Sequence, residues 1–428
     1  MNRSRYTRPP GPCGIRSLGY LVAWLALAGC TSPGSTSRGD GEGGQSGSSA
    51  SSAGTAGQSG SGGQSTGVAG SQTAGAGGQA SGMEMDAGHA ADGATSETVL
   101  DTASGDSLGS EAPPSVPGDG SLADANLKYF GRWDSSNASQ RISYWGGAYI
   151  RVAFTGTTLQ MKVGSTNNYY ASIDGGSFIK VSNANGTVNL TPTPLTHGAH
   201  VAVVSGGKDY GYEFSFKGFV LDVGATTTAP PVHSSVIEFI GDSITSGYTD
   251  TLADISDYAW VSAERLNVEH TQIAYPGIAL VTNYGLNSDK TGMEQDYLKL
   301  KPLGYATNPD WPASAYTPAL IVINLGTNDR STNVPSATFQ ASYTTFLATL
   351  RARFPAAEIF AMRCFNGSLA TETEMAVTVR MTAGDDKVHY VDTTGWLNTS
   401  DYNDGTHPSD VGHVKITGLL LPILTPYL

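Results

Sequence analysis

Ser243, Gly277, Asn328, Asp404 and His407 are the residues of this 428-residue chain whose types and surroundings fit chemistry. A serine hydroxyl is a useful nucleophile only beside a base that takes its proton. That base works best when a carboxylate fixes its tautomer and favours its charged form. Ser243 stands in Gly241-Asp242-Ser243, and His407 in Asp404-Gly405-Thr406-His407-Pro408, with Asp404 three residues before the imidazole. Asn328, in Gly326-Thr327-Asn328-Asp329, carries two amide hydrogens that suit the oxyanion of acyl transfer. Gly277, in Ala274-Tyr275-Pro276-Gly277-Ile278, is a residue at which backbone can approach a ligand closely. Each signal taken singly also has a plainer reading. Ser243 fits a helix N-cap, 326–329 a turn, Gly277 a turn glycine, and Pro408 the first residue of a helix.

The elements that must position these residues are legible from hydrophobic pattern. Val236–Ile240 and Ala319–Asn324 are apolar runs, Ala357–Met362 and Val388–Val391 are strand-like, and a short strand precedes Ala274. Asp257–Leu266, Phe339–Phe354 and Ser409–Leu428 have helical spacing. Alternating strands and helices predict an α/β domain over 232–428, with a mostly parallel sheet covered on both faces. Ser243, Gly277, Asn328 and His407 each follow a predicted strand, so all fall at the carboxyl edge where such sheets build their sites.

The preceding region reads differently. From Leu127 to about Gly224 the chain alternates with period two. Ile150, Val152 and Phe154 share one face, and Leu159, Met161 and Val163 repeat the pattern. Asp174-Gly175-Gly176 is a hairpin turn between Tyr169–Ile173 and Phe178–Val181. This predicts an all-β sandwich, a jelly roll of about eight short strands, over 124–228.

The four motifs in this order resemble the SGNH hydrolases, a branch of the GDSL esterases. The resemblance implies a five-stranded flavodoxin-like sheet with Ser243 as nucleophile, His407 as base and Asp404 as its orienting acid. It implies an oxyanion hole made of the Ser243 and Gly277 N–H groups and the Asn328 side chain. A β-sandwich before such a domain, with Gly241-Asp-Ser-Ile-Thr-Ser-Gly-Tyr248 and Tyr275-Pro-Gly-Ile-Ala-Leu280, is similar to carbohydrate esterase family 2, which contains acetyl xylan esterases. The implied activity is removal of O-acetyl groups from an acetylated plant-type polysaccharide or oligosaccharide, without metal or organic cofactor. Some family members carry an aromatic residue directly before the histidine. Here that residue is Thr406, and Trp396 and Trp311 are the candidate sugar-stacking residues in its place. Other readings are a lipase or thioesterase on the same machinery, or a surface polysaccharide-binding protein without turnover.

The N-terminal region carries no such pattern. Arg3, Arg5, Arg8 and Arg16 precede an apolar stretch from Leu18 to Ala28, too short for a membrane-spanning helix of about 20 residues, so 1–30 reads as an export signal. Leu27-Ala28-Gly29-Cys30 resembles the lipobox of bacterial lipoproteins, which implies lipidation at Cys30 and a membrane-anchored lipoprotein on the bacterial cell envelope. Residues 31–123 are mostly Gly, Ser, Ala, Gln and Thr and predict a flexible tether with a reach of about 50 Å. Of the three cysteines, Cys13 falls within the signal and Cys30 at the lipobox, leaving Cys364 as a small buried hydrophobe. A net charge of −13 without a basic stripe argues against nucleic acid as a partner. His413, Asp410 and Asp401 lack metal-ligand spacing and read as helix-surface or local polar contacts.

Overall fold

A computed structural model describes residues 116–207, 212–302 and 304–428. The expected export signal, the lipid site at Cys30 and the tether as far as residue 115 lie outside the described residues. The tether's expected end at 123 is too late. Gly118 pairs with Thr227 in both directions at 3.0 Å, and the Gly120 carbonyl accepts from the Phe219 amide at 2.8 Å. The backbone here has a sheet edge to bond to, which composition cannot reveal.

Nine antiparallel strands form the first domain: β1 (Lys128–Phe130), β2 (Trp133–Asp134), β3 (Arg141–Ser143), β4 (Tyr149–Gly156), β5 (Leu159–Ile173), β6 (Ile179–Asn189), β7 (Gly198–Gly206), β8 (Phe214–Leu221) and β9 (Thr227–Thr228). Their order is β1-β4-β7-β5-β8-β3-β2, with β6 on β5 and β9 on β4. The two short strands expected at 159–163 and 169–173 are the ends of the single strand β5. Its first half pairs with β8 and its second half with β7, with register shifts around Asn167. A side chain at that bend does the work of the interrupted ladder, since the Asn168 amide oxygen accepts from the Asn183 N–H at 3.0 Å. The sheet thereby curls around one core that contains Ile150, Val152, Phe154, Leu159, Met161 and Val163. The β5–β6 hairpin sits at the expected turn, with Ala171 opposite Ile179 and Tyr169 opposite Val181.

The second domain is a five-stranded parallel sheet: β10 (Val236–Gly241), β11 (Glu269–Ala274), β12 (Leu320–Asn324), β13 (Glu358–Met362) and β14 (Val388–Val391). The order β11-β10-β12-β13-β14 is flavodoxin-like. Its helices are α1 (Tyr258–Leu266), α2 (Met293–Asp296), α3 (Thr327–Ser331), α4 (Ser336–Arg353), α5 (Ala370–Thr382) and α6 (Asp410–Leu424). Successive strand residues face opposite layers. Phe239 packs with Tyr258, Ala263, Ile416 and Leu420 of α1 and α6, whereas Ile240 packs with Phe339, Leu347, Ala376 and Val377 of α4 and α5.

The two domains pack within one unit. The other face of β4, which carries Tyr149 and Arg151, is an interface. Tyr149 stacks on His270 with ring centres 5.1 Å apart, and its hydroxyl donates to Glu269 at 2.5 Å. Arg151 reaches the same carboxylate at 3.1 Å. Arg132, fully buried, lies 3.9 Å from the equally buried Glu238 of β10 and donates to the Tyr297 and Lys299 carbonyls.

Candidate active site

Parallel register determines where the motifs meet. Gly241 of β10 lies beside Ala274 of β11 on one side and Asn324 of β12 on the other. Ser243, Gly277 and Asn328 follow these positions within a few residues, so they emerge at one edge of the sheet. The loop after β14 brings Asp404 and His407 to the same edge. The chain after Ser243 is a succession of turns and not the helix an N-cap reading requires. Within it the Tyr248 amide donates to the Ser243 carbonyl at 3.0 Å.

Ser243, His407 and Asp404 form a connected chain. The His407 Nε2 atom is 2.9 Å from Ser243 Oγ, and its Nδ1 is 2.7 Å from Asp404 Oδ2. The other Asp404 oxygen accepts from the His407 and Thr406 amides at 2.8 and 3.0 Å, which fixes the loop that carries the imidazole. Burial works to raise the Asp404 carboxyl, but these amide and imidazole donors outweigh it and hold it below the ordinary value. Ser243 is 6% and His407 7% exposed, whereas the Asp404 side chain is 46% exposed. Tyr248 sets its ring edge against His407, with centres 4.8 Å apart.

Gly277 has φ +82°, and a Cβ there would stand 3.0 Å from Asn287 Oδ1 and 3.3 Å from Leu286 Cβ. The conformation favours glycine, and a Cβ would be tightly placed. Asn328 lies in the first turn of α3, and its amide nitrogen donates to the Ile278 carbonyl at 2.9 Å. The same nitrogen is 3.4 Å from Asp242 Oδ2. Asp329 accepts from the Leu280 and Val281 amides at 2.9 and 3.0 Å. Adjacent residues of α3 thus grip the loop that begins at Gly277. Burial pushes Asp242 up to about 7, reinforced by the Asp329 charge and opposed by the Ile244 amide. Burial likewise lifts Asp329 to about 6, against the two amides it accepts. Both serve the loops.

The two tryptophans separate. Trp396 lies in the loop that carries His407 and is half-buried against Phe365, with centres 6.4 Å apart. Trp311 is not brought to this edge. Its ring lies near Arg132 and Tyr316, and its carbonyl accepts from Arg353 at the end of α4. Helix α4 carries the chain from the Asn328 edge back to the start of β13, so Arg353 and Trp311 belong at the opposite end of the sheet. Two aromatics of similar sequence surroundings cannot be told apart without that topology.

His413 corrects another expectation. It is fully buried and not on the helix surface. Its Nδ1 accepts from the Tyr258 amide at 3.1 Å, and its Nε2 lies 3.2 Å from Asp250, also fully buried. Burial drives Asp250 up to about 8 and His413 down to about 3. Asp401 is a local contact as expected, accepting from Lys415 at 2.7 Å, whereas Asp410, at the start of α6, accepts at 3.0 Å from the Thr251 amide, 159 residues away in sequence.

Residues 239–415 match the GDSL-like lipase/acylhydrolase family, and residues 129–231 match the carbohydrate esterase 2 N-terminal family. The chain thus resembles the SGNH/GDSL hydrolases over its second domain and carbohydrate esterase family 2 over both domains. It is 31% identical over 314 residues to the cellulase/esterase CelE of Acetivibrio thermocellus, covering 67% of this chain but 38% of that protein. It is 28% identical over 275 residues to an acetylxylan esterase/glucomannan deacetylase of Cellvibrio japonicus, covering 56% of this chain and 75% of that one. A family two carbohydrate esterase from Clostridium thermocellum, solved in complex with cellohexaose, superposes with a TM-score of 0.62 at 28% identity, covering 70% of this chain and 98% of that one. The chain therefore spans well under half the length of the first of these relatives, CelE.

Proposed function

We propose that the protein is an exported serine esterase that removes O-acetyl groups from polysaccharide through an acetyl-enzyme. The observation that carries this reading is the unbroken Asp404–His407–Ser243 chain at 2.7 and 2.9 Å. His407 takes the Ser243 proton as Oγ attacks the acetyl carbonyl. The Ser243 and Gly277 N–H groups and the Asn328 amide receive the oxyanion. His407 then protonates the departing sugar hydroxyl, and water attacks the acetyl-enzyme with His407 again as base. The acetylated-polysaccharide substrate rests on the likeness to acetylxylan esterases, and Trp396, on the catalytic edge, is the aromatic we assign to sugar contact. Acetate release from acetylated xylan and glucomannan by the full chain tests this, with Ser243→Ala as control. Release that survives Ser243→Ala refutes the mechanism, and release from long-chain esters alone refutes the substrate. Export and anchoring through Cys30 are part of the same reading. Cys30→Ser should move the protein from the membrane fraction to the soluble one.

A further inference from the structure

The segment that carries Ser243 is not a helix, so its carbonyls lack the partners a helix would provide, and buried carbonyls need donors from elsewhere. The Ser243 carbonyl accepts from the Tyr248 amide and from the Ser246 hydroxyl at 3.2 Å. The Thr245 carbonyl accepts from the Gln272 side chain of β11 at 3.3 Å. The Ser246 carbonyl accepts at 3.0 Å from the hydroxyl of Tyr212, which belongs to the other domain, just before β8. Tyr212 is 2% exposed and Ser246 fully buried. Burial pushes the Tyr212 phenol well above its ordinary value, so the hydroxyl remains a donor. The ring fits because Gly146 and Gly207 flank it: a Cβ at either would stand 3.2 Å from its carbons. A second tie follows the same route, since the Gly147 amide donates to the fully buried Asp254 a few residues beyond Tyr248.

From this geometry we propose that Tyr212 of the β-sandwich is a positioning residue for the Ser243 turn, so that the sandwich forms part of the esterase apparatus and is not only a carrier. The inference rests on the esterase reading for its kinetic expression, but the contact it describes is independent of it. With the Ser246 carbonyl unanswered in buried surroundings, the turn shifts, and Ser243 leaves its alignment with His407. The bond lies beneath the turn between two buried groups, so the expected effect is on turnover and not on KM.

The test is Tyr212→Phe in the full chain, which keeps the ring and deletes the hydroxyl. The expected result is a roughly tenfold fall in kcat on a simple acetyl ester, the order of one buried acceptor left unsatisfied, with KM within about twofold. Val188→Ala, in the sandwich core away from the interface, serves as the stability control. It should lower Tm by at least as much as Tyr212→Phe and leave kcat unchanged. Amide hydrogen exchange over 243–249 should be faster in Tyr212→Phe and unaltered in Val188→Ala. Wild-type kcat in Tyr212→Phe, or an equal loss in both variants, overturns the proposal. If the wild type hydrolyses no ester, the esterase reading fails by itself, and exchange alone decides on Tyr212: unchanged rates over 243–249 overturn it.

Discussion

Replacing Asp404 by Asn separates the orientation of His407 from its mere presence. Asp404 accepts from Nδ1 at 2.7 Å, which leaves Nε2 free to take the Ser243 proton. An Asn amide can instead present N–H to Nδ1. The imidazole proton then moves to Nε2 and points at Ser243, which is the inactive tautomer. Relative to the wild type, the active tautomer lacks its hydrogen bond to the charged Asp404 carboxylate, about 1.5–3 kcal/mol, or a factor of about 10 to 150. Where such an aspartate is buried, the same change costs about 10⁴ in kcat. Asp404 is 46% exposed, so water screens its charge and the lower range applies. We expect kcat on an aryl acetate to fall about 10²-fold in Asp404→Asn, with KM little changed. Exposure has a second consequence. In Asp404→Ala, water can enter and accept from Nδ1, so this variant should lose less than Asp404→Asn, about tenfold. An Asn variant within threefold of wild type, or an Ala variant worse than the Asn variant, refutes the reasoning.

Asn328→Ala should lower kcat about 10²–10³-fold, less than Ser243→Ala, because it removes one of the three proposed oxyanion donors; equal losses in steady-state kinetics would argue against that role. Arg132→Met strands the buried Glu238 carboxylate with two tyrosine hydroxyls and no cation. It should cost about 3–5 kcal/mol in denaturant unfolding, and adding Glu238→Gln should recover part of that. Asp250 has a folded value of about 8 against an ordinary 3.8. Its stabilising share is complete below the unfolded value and is lost as pH rises to about 8. Asp250→Asn does not titrate, so its Tm relative to wild type should be more favourable at about pH 9 than at about pH 5.

Much of the fold was legible because local pattern and burial agree. The apolar runs at 236–240 and 319–324 became β10 and β12, and the 257–266 pattern became α1 with Asp257 as its N-cap. Helix α5 was not anticipated. Its sequence is rich in Thr and Val, residues that favour strands, and only Thr373, Ala376 and Val377 are buried, too few to print a helical period. The bent strand β5 read as two strands because its polar middle, Gly164 to Asn168, interrupts the alternation. In each case tertiary contacts decided what local composition left open.

The site divides along the same line. Ser243, Gly277, Asn328 and His407 could be placed together because a parallel sheet delivers the ends of its strands to one edge, so sequence order after strands becomes proximity in space. What holds them in place is not ordered in that way. Thr245 is answered by Gln272 and Ser246 by Tyr212, residues 27 and 34 positions away. Neither carries a motif, since a single donor at the right distance is all each must supply. Tyr212 can meet Ser246 only because the outer surface of the β-sheet packs against the parallel-sheet domain, the same arrangement that buries Tyr149 against Glu269. On the proposed reading, the reacting groups are encoded by local motifs and their alignment by the interface between two domains, so substitutions at that interface should act on turnover before they act on binding.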